Sequence, residues 1–388
     1  MNIAFEAKRF FESGTGFGTY SRTLVGNLAA DFLENEYFLY APDAERNLSI
    51  ASLAHSAEIE RVKSQKAVQV IYPPRRGKIY WKLLGARRSL QENQIDLYHG
   101  LAQQIPRSIR LSKIPKILTI HDLIFLRYPE FFKGEALDRI EQQLRDACEV
   151  AQKIVAVSEA TKADLISLFG IEPSKIEVIY SACDKRYWRA VPREWKLKVR
   201  EKYGLPERYL LYVGSMSKRK DLFSIVKAIA SLPDRDKIPL VVVGAETGYT
   251  EVVTEYLNRY RLQKWVVFTR GVTMEELPAV YQGAEIFLYT SIYEGFGMPI
   301  LEAITSGVPV IVSNTSAMPE AGGPGACLVT PQAVDQIACA IQDISQDVQL
   351  RHQMIKCGKD HAGKFASGIV TSQMMDLYVS EIENLLDA

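Results

Sequence analysis

Ile286-Phe287-Leu288-Tyr289, then Ser291-Ile292-Tyr293-Glu294-Gly295-Phe296-Gly297-Met298-Pro299-Ile300-Leu301-Glu302, then Gly307-Val308-Pro309-Val310-Ile311-Val312 make up one strand–helix–strand unit. The first run is short and apolar, as a buried strand requires. Pro299 suits a first helical turn, Gly307 suits the left-handed residue after a helix end, and Pro309 follows closely behind it. The stretch predicts a strand over Ile286–Tyr289, a helix over Pro299–Ser306 and a strand over Val308–Val312.

Outward from this unit the alternation repeats, the signature of parallel sheets wrapped by helices. Upstream lie strand Tyr209–Val213, helix Leu222–Ser231, strand Leu240–Val243, helix Glu251–Leu262, strand Trp265–Thr269 and helix Glu275–Tyr281. The first half reads the same way, with strands Asn2–Ala7, Tyr37–Ala41, Val68–Tyr72, Ile95–His99, Lys116–Ile120, Lys153–Val157 and Lys175–Tyr180. Its first helix, Tyr20–Phe32, repeats Tyr20, Leu24, Leu28 and Phe32 along one face. A polar stretch from about Asp184 to Arg208 interrupts the pattern. It divides the chain into two doubly wound, Rossmann-like domains, 1–190 and 191–370, facing across a cleft.

Composition sets the outer limits. The 388 residues carry 47 Lys plus Arg against 46 Asp plus Glu, a net charge of +1. That argues against a dedicated nucleic-acid binder, which carries a basic excess. No secretory leader is expected at the N-terminus, and no run approaches the roughly 18 apolar residues of a bilayer span. The five cysteines form no CxxC pair, which suits free, mostly buried thiols in a reducing compartment. The five histidines show no metal-ligand spacing, so no metal is expected.

Glu294 falls on a strand-to-helix loop and Glu302 in the first turns of the helix. Between them, Gly295 and Gly297 allow a tight turn and close approach of a ligand. The helix start at Met298-Pro299 offers unpaired N–H groups to a phosphate. Two carboxylates bracketing that seat can hold hydroxyls on either side, as a nucleotide sugar demands, although a helix-start Glu and a solvated Glu would read alike. Gly214-Ser215-Met216-Ser217-Lys218-Arg219-Lys220-Asp221 again leads from a strand into a helix. Three cations ahead of a helix N-terminus are disfavoured unless an anion compensates them, and a diphosphate would do so. A solvated basic turn is the alternative.

Ser13-Gly14-Thr15-Gly16-Phe17-Gly18-Thr19-Tyr20 follows the first strand. Its spacing is GxGxG, and eight residues separate Ala7 from Gly16, too loose for a dinucleotide turn. A loop closing over a phosphate or sugar fits better, with a plain flexible loop as the alternative. His121 ends strand Lys116–Ile120, and His99 ends another, where a structural role is the commoner one. Tyr72–Gln91 holds Arg75, Arg76, Lys78, Lys82, Arg87 and Arg88 among aromatic and aliphatic residues without an acid. It suits peripheral contact with an anionic membrane, or equally a solvated or acceptor-binding surface.

Taken in order, the Gly14–Tyr20 segment, Thr119-Ile120-His121-Asp122-Leu123, Val157-Ser158-Glu159-Ala160, Val213–Leu222, Phe268-Thr269-Arg270-Gly271-Val272 and the E-x7-E block Glu294–Glu302 resemble family 4 glycosyltransferases of the GT-B fold. The resemblance continues through Gly307–Ile311 and Ser316–Glu320 and spans essentially the whole chain. It implies a retaining, nucleotide-sugar-dependent enzyme of two facing Rossmann-like domains, with a last helix, about 371–388, crossing back onto the first. Glu294 would contact the donor sugar and Glu302 the ribose, with Gly295, Phe296, Gly297, Met298 and Pro299 between them. Arg219 and Lys220 would neutralise the diphosphate beside Gly214, and His121 would lie near sugar and phosphate. Gly16 and Gly18 would let the N-terminal loop approach the diphosphate, and the backbone of Arg270, Gly271 and Val272 would lie near the base. Asp221 stands where the family often has Asn.

The expected function is metal-independent hexosyl transfer to a glycan or lipid-linked acceptor. Together with Tyr128-Pro129-Glu130, the pattern is most similar to bacterial mannosyltransferases of surface polysaccharide, so GDP-mannose leads and UDP-glucose or another UDP-hexose follows. A UDP-sugar epimerase or hydrolase of the same fold, and a non-catalytic sugar-nucleotide-binding protein, are the alternatives. A cytoplasmic location follows, with the inner face of the membrane within reach of Tyr72–Gln91.

Overall fold

The structure is a computed structural model that describes residues 1–13, 16–41, 55–73, 85–132 and 136–386. Gly14, Thr15 and residues 74–84, which include most of the basic Tyr72–Gln91 segment, lie outside the described residues. The chain forms two compact units: Met1–Ala182 with Phe365–Ala388, and Cys183–Lys364.

The first unit is built on seven parallel strands: β1 (Asn2–Glu6), β2 (Glu36–Tyr40), β3 (Val68–Ile71), β4 (Leu97–Gly100), β5 (Lys116–Ile120), β6 (Lys153–Ala156) and β7 (Ile176–Val178), in the order β3-β2-β1-β4-β5-β6-β7. The second has six: β8 (Leu210–Val213), β9 (Leu240–Val243), β10 (Val266–Thr269), β11 (Ile286–Tyr289), β12 (Val310–Ser313) and β13 (Cys327–Val329), in the order β10-β9-β8-β11-β12-β13. Helices cover both faces, so the central strands are apolar without interruption: Leu240–Val243 and Ile286–Tyr289 are buried at every residue. Each sheet packs its own core, with Leu210, Ile225, Val242 and Leu288 among the buried residues of the second unit. Ala4, Leu118, Ile154 and Leu165 serve likewise in the first.

Punctuation explains the element ends. Pro lies in the first turn of helix Met298–Thr305, and Gly307 takes φ +78° just beyond it. One local expectation is corrected, and one stretch gains an element. The glycine-rich segment is no loop from Gly16 onward, because helix Gly16–Asp31 starts there. The polar stretch 184–208 contains a regular helix, Arg193–Tyr203, closed by Gly204 in the left-handed region. Alternation alone also left unplaced β13 and helices Val334–Gln346 and Val348–Ala362. Of the cysteines, all free among the described residues, only Cys148 and Cys183 are buried, and Cys339 is exposed.

The last helix, Ser367–Leu386, belongs to the first unit and is held by polar contacts. Tyr378 Oη lies 2.6 Å from His99 Nδ1, and His99 Nε2 lies 2.8 Å from Thr119 Oγ1. Thr371 Oγ1 donates to Asp31 Oδ2 at 3.0 Å. Burial lowers the His99 pKa to about 3, with His121 adding to the effect. With both nitrogens occupied and the ring fully buried, His99 is a neutral structural histidine. No helix among the described residues is long and apolar enough to cross a membrane.

Candidate active site

In open parallel sheets the ligand crevice lies outside the carboxyl ends of the strands, where the strand order reverses. In the second unit that point lies between β8 and β11, paired through Ile286↔Leu210 and Phe287↔Leu211. The two segments richest in chemistry leave the sheet from these two strands. Gly214–Asp221 follows β8 and contains a 3-10 turn over Lys218–Lys220. The segment from Thr290 to Gly297 follows β11 and runs into helix Met298–Thr305.

Backbone contacts lock the two loops together. The Ile292 N–H donates to Arg219 O at 2.8 Å, and Arg219 Nη1 donates to the Tyr293 carbonyl at 2.5 Å. On the other side, the Glu294 N–H donates to Ser316 Oγ at 3.0 Å, and Thr315 Oγ1 donates to Ile292 O at 3.0 Å. Gly297 takes φ +120° as the N-cap of the helix, a conformation rarely open to a side chain, and no side chain caps the helix start.

This scaffold brings Glu294 to the cations. Its Oε1 lies 2.7 Å from Arg219 Nη1 and 3.1 Å from Lys220 Nζ, all three side chains being four-fifths or more buried. Burial opposes the carboxylate charge, but Lys220 and Arg219 outweigh it and hold the Glu294 pKa down to about 2. Two cations of the basic turn, Arg219 and Lys220, thus pair with a side chain of the protein. Lys220 Nζ also donates to Tyr289 Oη and stands 4.8 Å from the centre of that ring. Tyr289 is the last residue of β11 and is buried.

Glu302 lies on the helix that Gly297 opens and is buried. Tyr281 Oη donates to its Oε2 at 2.8 Å, and Tyr187 packs edge-on to Tyr281 at 5.7 Å. Burial raises the Glu302 pKa to about 7, with the Tyr281 hydrogen bond opposing it in part. Near neutrality this carboxyl is poised between two protonation states.

Asp221 takes φ +53°, a region that Asn and Asp tolerate better than other side chains. Its carboxylate accepts from Ser224 Oγ at 2.7 Å and from the Gln332 N–H at 3.1 Å. Asp221 and the family's Asn are thus interchangeable for the backbone, while Asp221 adds a buried charge at the start of helix Leu222–Ser231.

Of the remaining residues of the reading, Gly214 lies against the Lys220 side chain, where a Cβ would stand 3.2 Å from Lys220 Cδ. The Gly214 N–H donates to Val243 O at 2.9 Å. The exposed side chain of Arg270 pairs with Glu246 at 2.6 Å, and Gly271 O accepts from Tyr203 Oη at 2.9 Å. Gly295 and Phe296 are buried in the β11 loop, and Met298, Pro299 and Val272 are partly exposed.

His121, Gly16 and Gly18 belong to the first unit. His121 Nε2 donates to Leu101 O at 2.8 Å, which leaves Nδ1 as the acceptor. The ring meets Phe17 and Tyr20 edge-on at 4.5 and 4.7 Å. Burial lowers its pKa to about 4 against the opposing Leu101 carbonyl, so His121 is neutral near pH 7. Gly16 faces open space, whereas a Cβ on Gly18 would lie 2.1 Å from Ser13 O and 2.9 Å from Arg9 O. Gly18 is thus required by the fold of its own chain segment.

Sequence reasoning missed Tyr289, Tyr281, Tyr187 and Ser316 as supports of the two glutamates. Only Tyr289 carried a usable signal, as the last residue of a strand.

Comparison with known proteins places the chain in a family. The model for Glycosyltransferase Family 4 matches residues 14–186, and that for Glycosyl transferases group 1 matches 195–361. An O-antigen chain mannosyltransferase B of Escherichia coli is 28% identical over 97% of this chain and 99% of its own. A D-inositol 3-phosphate glycosyltransferase of Corynebacterium aurimucosum is 26% identical over 73% of this chain and 70% of its own. Among solved structures, a glycosyltransferase from Rickettsia africae superposes with a TM-score of 0.76 at 15% identity, covering 99% of both chains. Anabaena HepE in complex with UDP-glucose superposes with 0.74 at 19% identity, covering 98% of this chain and 100% of that one.

Proposed function

The chain belongs to the family 4 glycosyltransferases of the GT-B fold, and from that premise we propose that it transfers mannose from GDP-mannose to a glycan or lipid-linked acceptor of surface polysaccharide. Transfer proceeds with retention of configuration and without a metal cofactor. The observation that carries this reading is the Glu294–Arg219–Lys220 cluster at the switch point between β8 and β11.

In this reading the donor diphosphate takes Arg219 and Lys220 over from Glu294. It is seated against the uncapped start of helix Met298–Thr305, where free N–H groups and the helix dipole favour an anion. The two cations then stabilise the charge that develops as the nucleoside diphosphate departs. Glu294, released from the pair, accepts hydrogen bonds from the sugar hydroxyls. Glu302, once ionised, accepts from the ribose, and the backbone of Arg270–Val272 lies near the base. The acceptor hydroxyl attacks on the face from which the diphosphate leaves and passes its proton to the departing phosphate oxygen. His121, neutral with Nδ1 as acceptor, takes a hydroxyl proton in a hydrogen bond near the transferred sugar.

The mannosyltransferase relatives favour GDP-mannose, and the structural neighbours in complex with UDP and UDP-glucose keep a UDP-hexose as the second reading. Thermal unfolding in EDTA with GDP, UDP, ADP and their sugars tests both. A ligand at about 100 times its dissociation constant adds roughly 2.7 kcal/mol of stability. Stabilisation by GDP and GDP-mannose is expected. Stabilisation by the uridine compounds alone transfers the reading to UDP-hexose, and no stabilisation by any of them overturns the donor site.

A further inference from the structure

We propose that Thr119 is a positioning residue for sugar transfer: acting through Tyr20, it holds the His121 ring in the orientation that presents Nδ1. The inference rests on the place given above to His121 beside the transferred sugar. Side chains alternate between the two faces of a strand, so Ile117, Thr119 and, one residue past the end of β5, His121 share one face. His99 lies opposite Ile117 on β4 and shares that face. The other face, with Leu118 and Ile120, belongs to the apolar core of the first unit. Thr119 and His99 are both fully buried. Valine and leucine would serve a buried strand there without the cost of burying polar groups. The hydroxyl and the imidazole therefore need a reason beyond strand formation.

What they bond is a chain that ends against His121. It runs from Tyr378 Oη to His99 Nδ1 at 2.6 Å, from His99 Nε2 to Thr119 Oγ1 at 2.8 Å, and from Thr119 Oγ1 to Tyr20 Oη at 3.1 Å. A threonine hydroxyl donates once and accepts twice, and neutral His99 carries one ring proton, so the chain closes in either direction with every bond made. Among the described residues Thr119 is the one hydrogen-bond partner of Tyr20 Oη. The Tyr20 ring then meets the His121 ring edge-on, at 4.7 Å and 90°. Thr161 Oγ1 holds the His121 carbonyl at 3.1 Å, and Leu101 O holds Nε2 at 2.8 Å. Contact with Tyr20 fixes the plane of the ring that these two bonds tether. Phe17, the other ring against His121, is partly exposed and has no polar atom to anchor it. Tyr20 is thus the fixed wall, and the Thr119 hydroxyl is what fixes it. Displacing a group at a reacting centre by about 1 Å costs up to roughly 100-fold in rate.

Ring-nitrogen NMR of the whole protein with labelled histidines tests the proposal without needing a donor, His121 being assigned by its loss in His121→Gln. Wild type and Thr119→Ser, which keeps the hydroxyl, are expected to show His121 as a single Nε2–H tautomer. Thr119→Val, which keeps the shape, and Tyr20→Phe, which keeps the ring, are expected to show averaging of the two tautomers. Turnover of radiolabelled GDP-mannose, or of a UDP-hexose where only that is turned over, supplies the second readout. In Thr119→Val and Tyr20→Phe kcat should fall about tenfold with the donor KM within about twofold, while Thr119→Ser keeps the wild-type rate. Tyr20→Phe leaves Thr119 bonded to His99, so it decides the matter should Thr119→Val fail to fold. A folded Thr119→Val or Tyr20→Phe with a single tautomer and wild-type kcat overturns the proposal, as does a Thr119→Ser no better than Thr119→Val. Wild-type turnover by His121→Gln overturns the role given to His121 and this inference with it. Loss of turnover in His121→Gln beside unchanged Thr119→Val and Tyr20→Phe overturns the inference alone.

Discussion

Glu294 Oε1 lies 2.7 Å from Arg219 Nη1, so the carboxylate assigned to the donor sugar occupies the cations assigned to the donor diphosphate. In the absence of a nucleotide each charge satisfies the other. In the proposed reading, donor binding exchanges the Glu294 carboxylate for the diphosphate at these two cations.

Glu294→Gln separates the two roles. The amide keeps the shape but releases Arg219 and Lys220, so nucleoside diphosphate affinity should hold or rise. Sugar transfer should fall on the order of 100-fold or more, as when a group aimed at the reacting centre is removed. Titration calorimetry with the nucleotide and a radiolabelled transfer assay measure the two quantities. Parallel loss of both would mean that Glu294 only shapes the loop.

Glu302 predicts a pH dependence. Its folded pKa is raised to about 7 from an ordinary 4.5, so the folded protein binds the extra proton across that window. The contribution of Glu302 to stability is present below pH 4.5 and is lost as pH rises through about 7. An acceptor for ribose hydroxyls needs the ionised form, so nucleotide affinity should rise from pH 6 to pH 8. Glu302→Gln should flatten both profiles relative to wild type, the one followed by thermal unfolding and the other by nucleotide titration. A wild-type slope in the variant would place the titrating group elsewhere; Glu6 and Asp221, with folded pKa values raised by burial to about 7 and about 6, are the next to test.

Tyr289→Phe removes the oxygen that receives Lys220 Nζ while keeping the ring beneath it. Loss of one charge-assisted hydrogen bond costs about 1.5–3 kcal/mol. Because Lys220 loses its anchor against the β11 strand, kcat should drop about tenfold or more with a smaller change in KM. Unchanged kinetics would show that Glu294 alone positions the lysine.

Tyr378→Phe tests the attachment of the final helix. It leaves His99 Nδ1 buried without its 2.6 Å partner, a loss of about 1–3 kcal/mol. The midpoint of chemical denaturation should shift accordingly, while nucleotide affinity stays the same. A variant as stable as wild type would mean that apolar packing of Val370, Met374 and Tyr378, all buried, holds the helix unaided.

Much of this molecule follows from chemistry between neighbours in sequence. Apolar runs such as Leu240–Val243 can only be buried strands, and a proline at 299 with a glycine at 307 can only bracket a helix of about that length. The same local rules placed Glu294 on a loop, Glu302 on the helix after it, and Arg219 and Lys220 at the end of a strand. Helix Gly16–Asp31 was misread at its start because glycine propensity favours a loop. The close approach of Gly18 to Ser13 O decides otherwise.

Which strands become neighbours lies outside such rules. β8 pairs with β11, and not with a strand adjacent in sequence on that side, because interchangeable apolar strands are ordered by the packing of whole helices on both faces. That non-local pairing brings Arg219 and Lys220 to Glu294, whereas the β11–β12 pairing brings Ser316 to the β11 loop and the packing of helix Leu277–Gly283 beside helix Met298–Thr305 brings Tyr281 to Glu302. Charge compensation and pKa depend on separation in space and on burial, both of which exist only once the chain has folded. The residue types and their spacing were therefore legible in the chain, whereas the partner of each charge was decided by the tertiary structure.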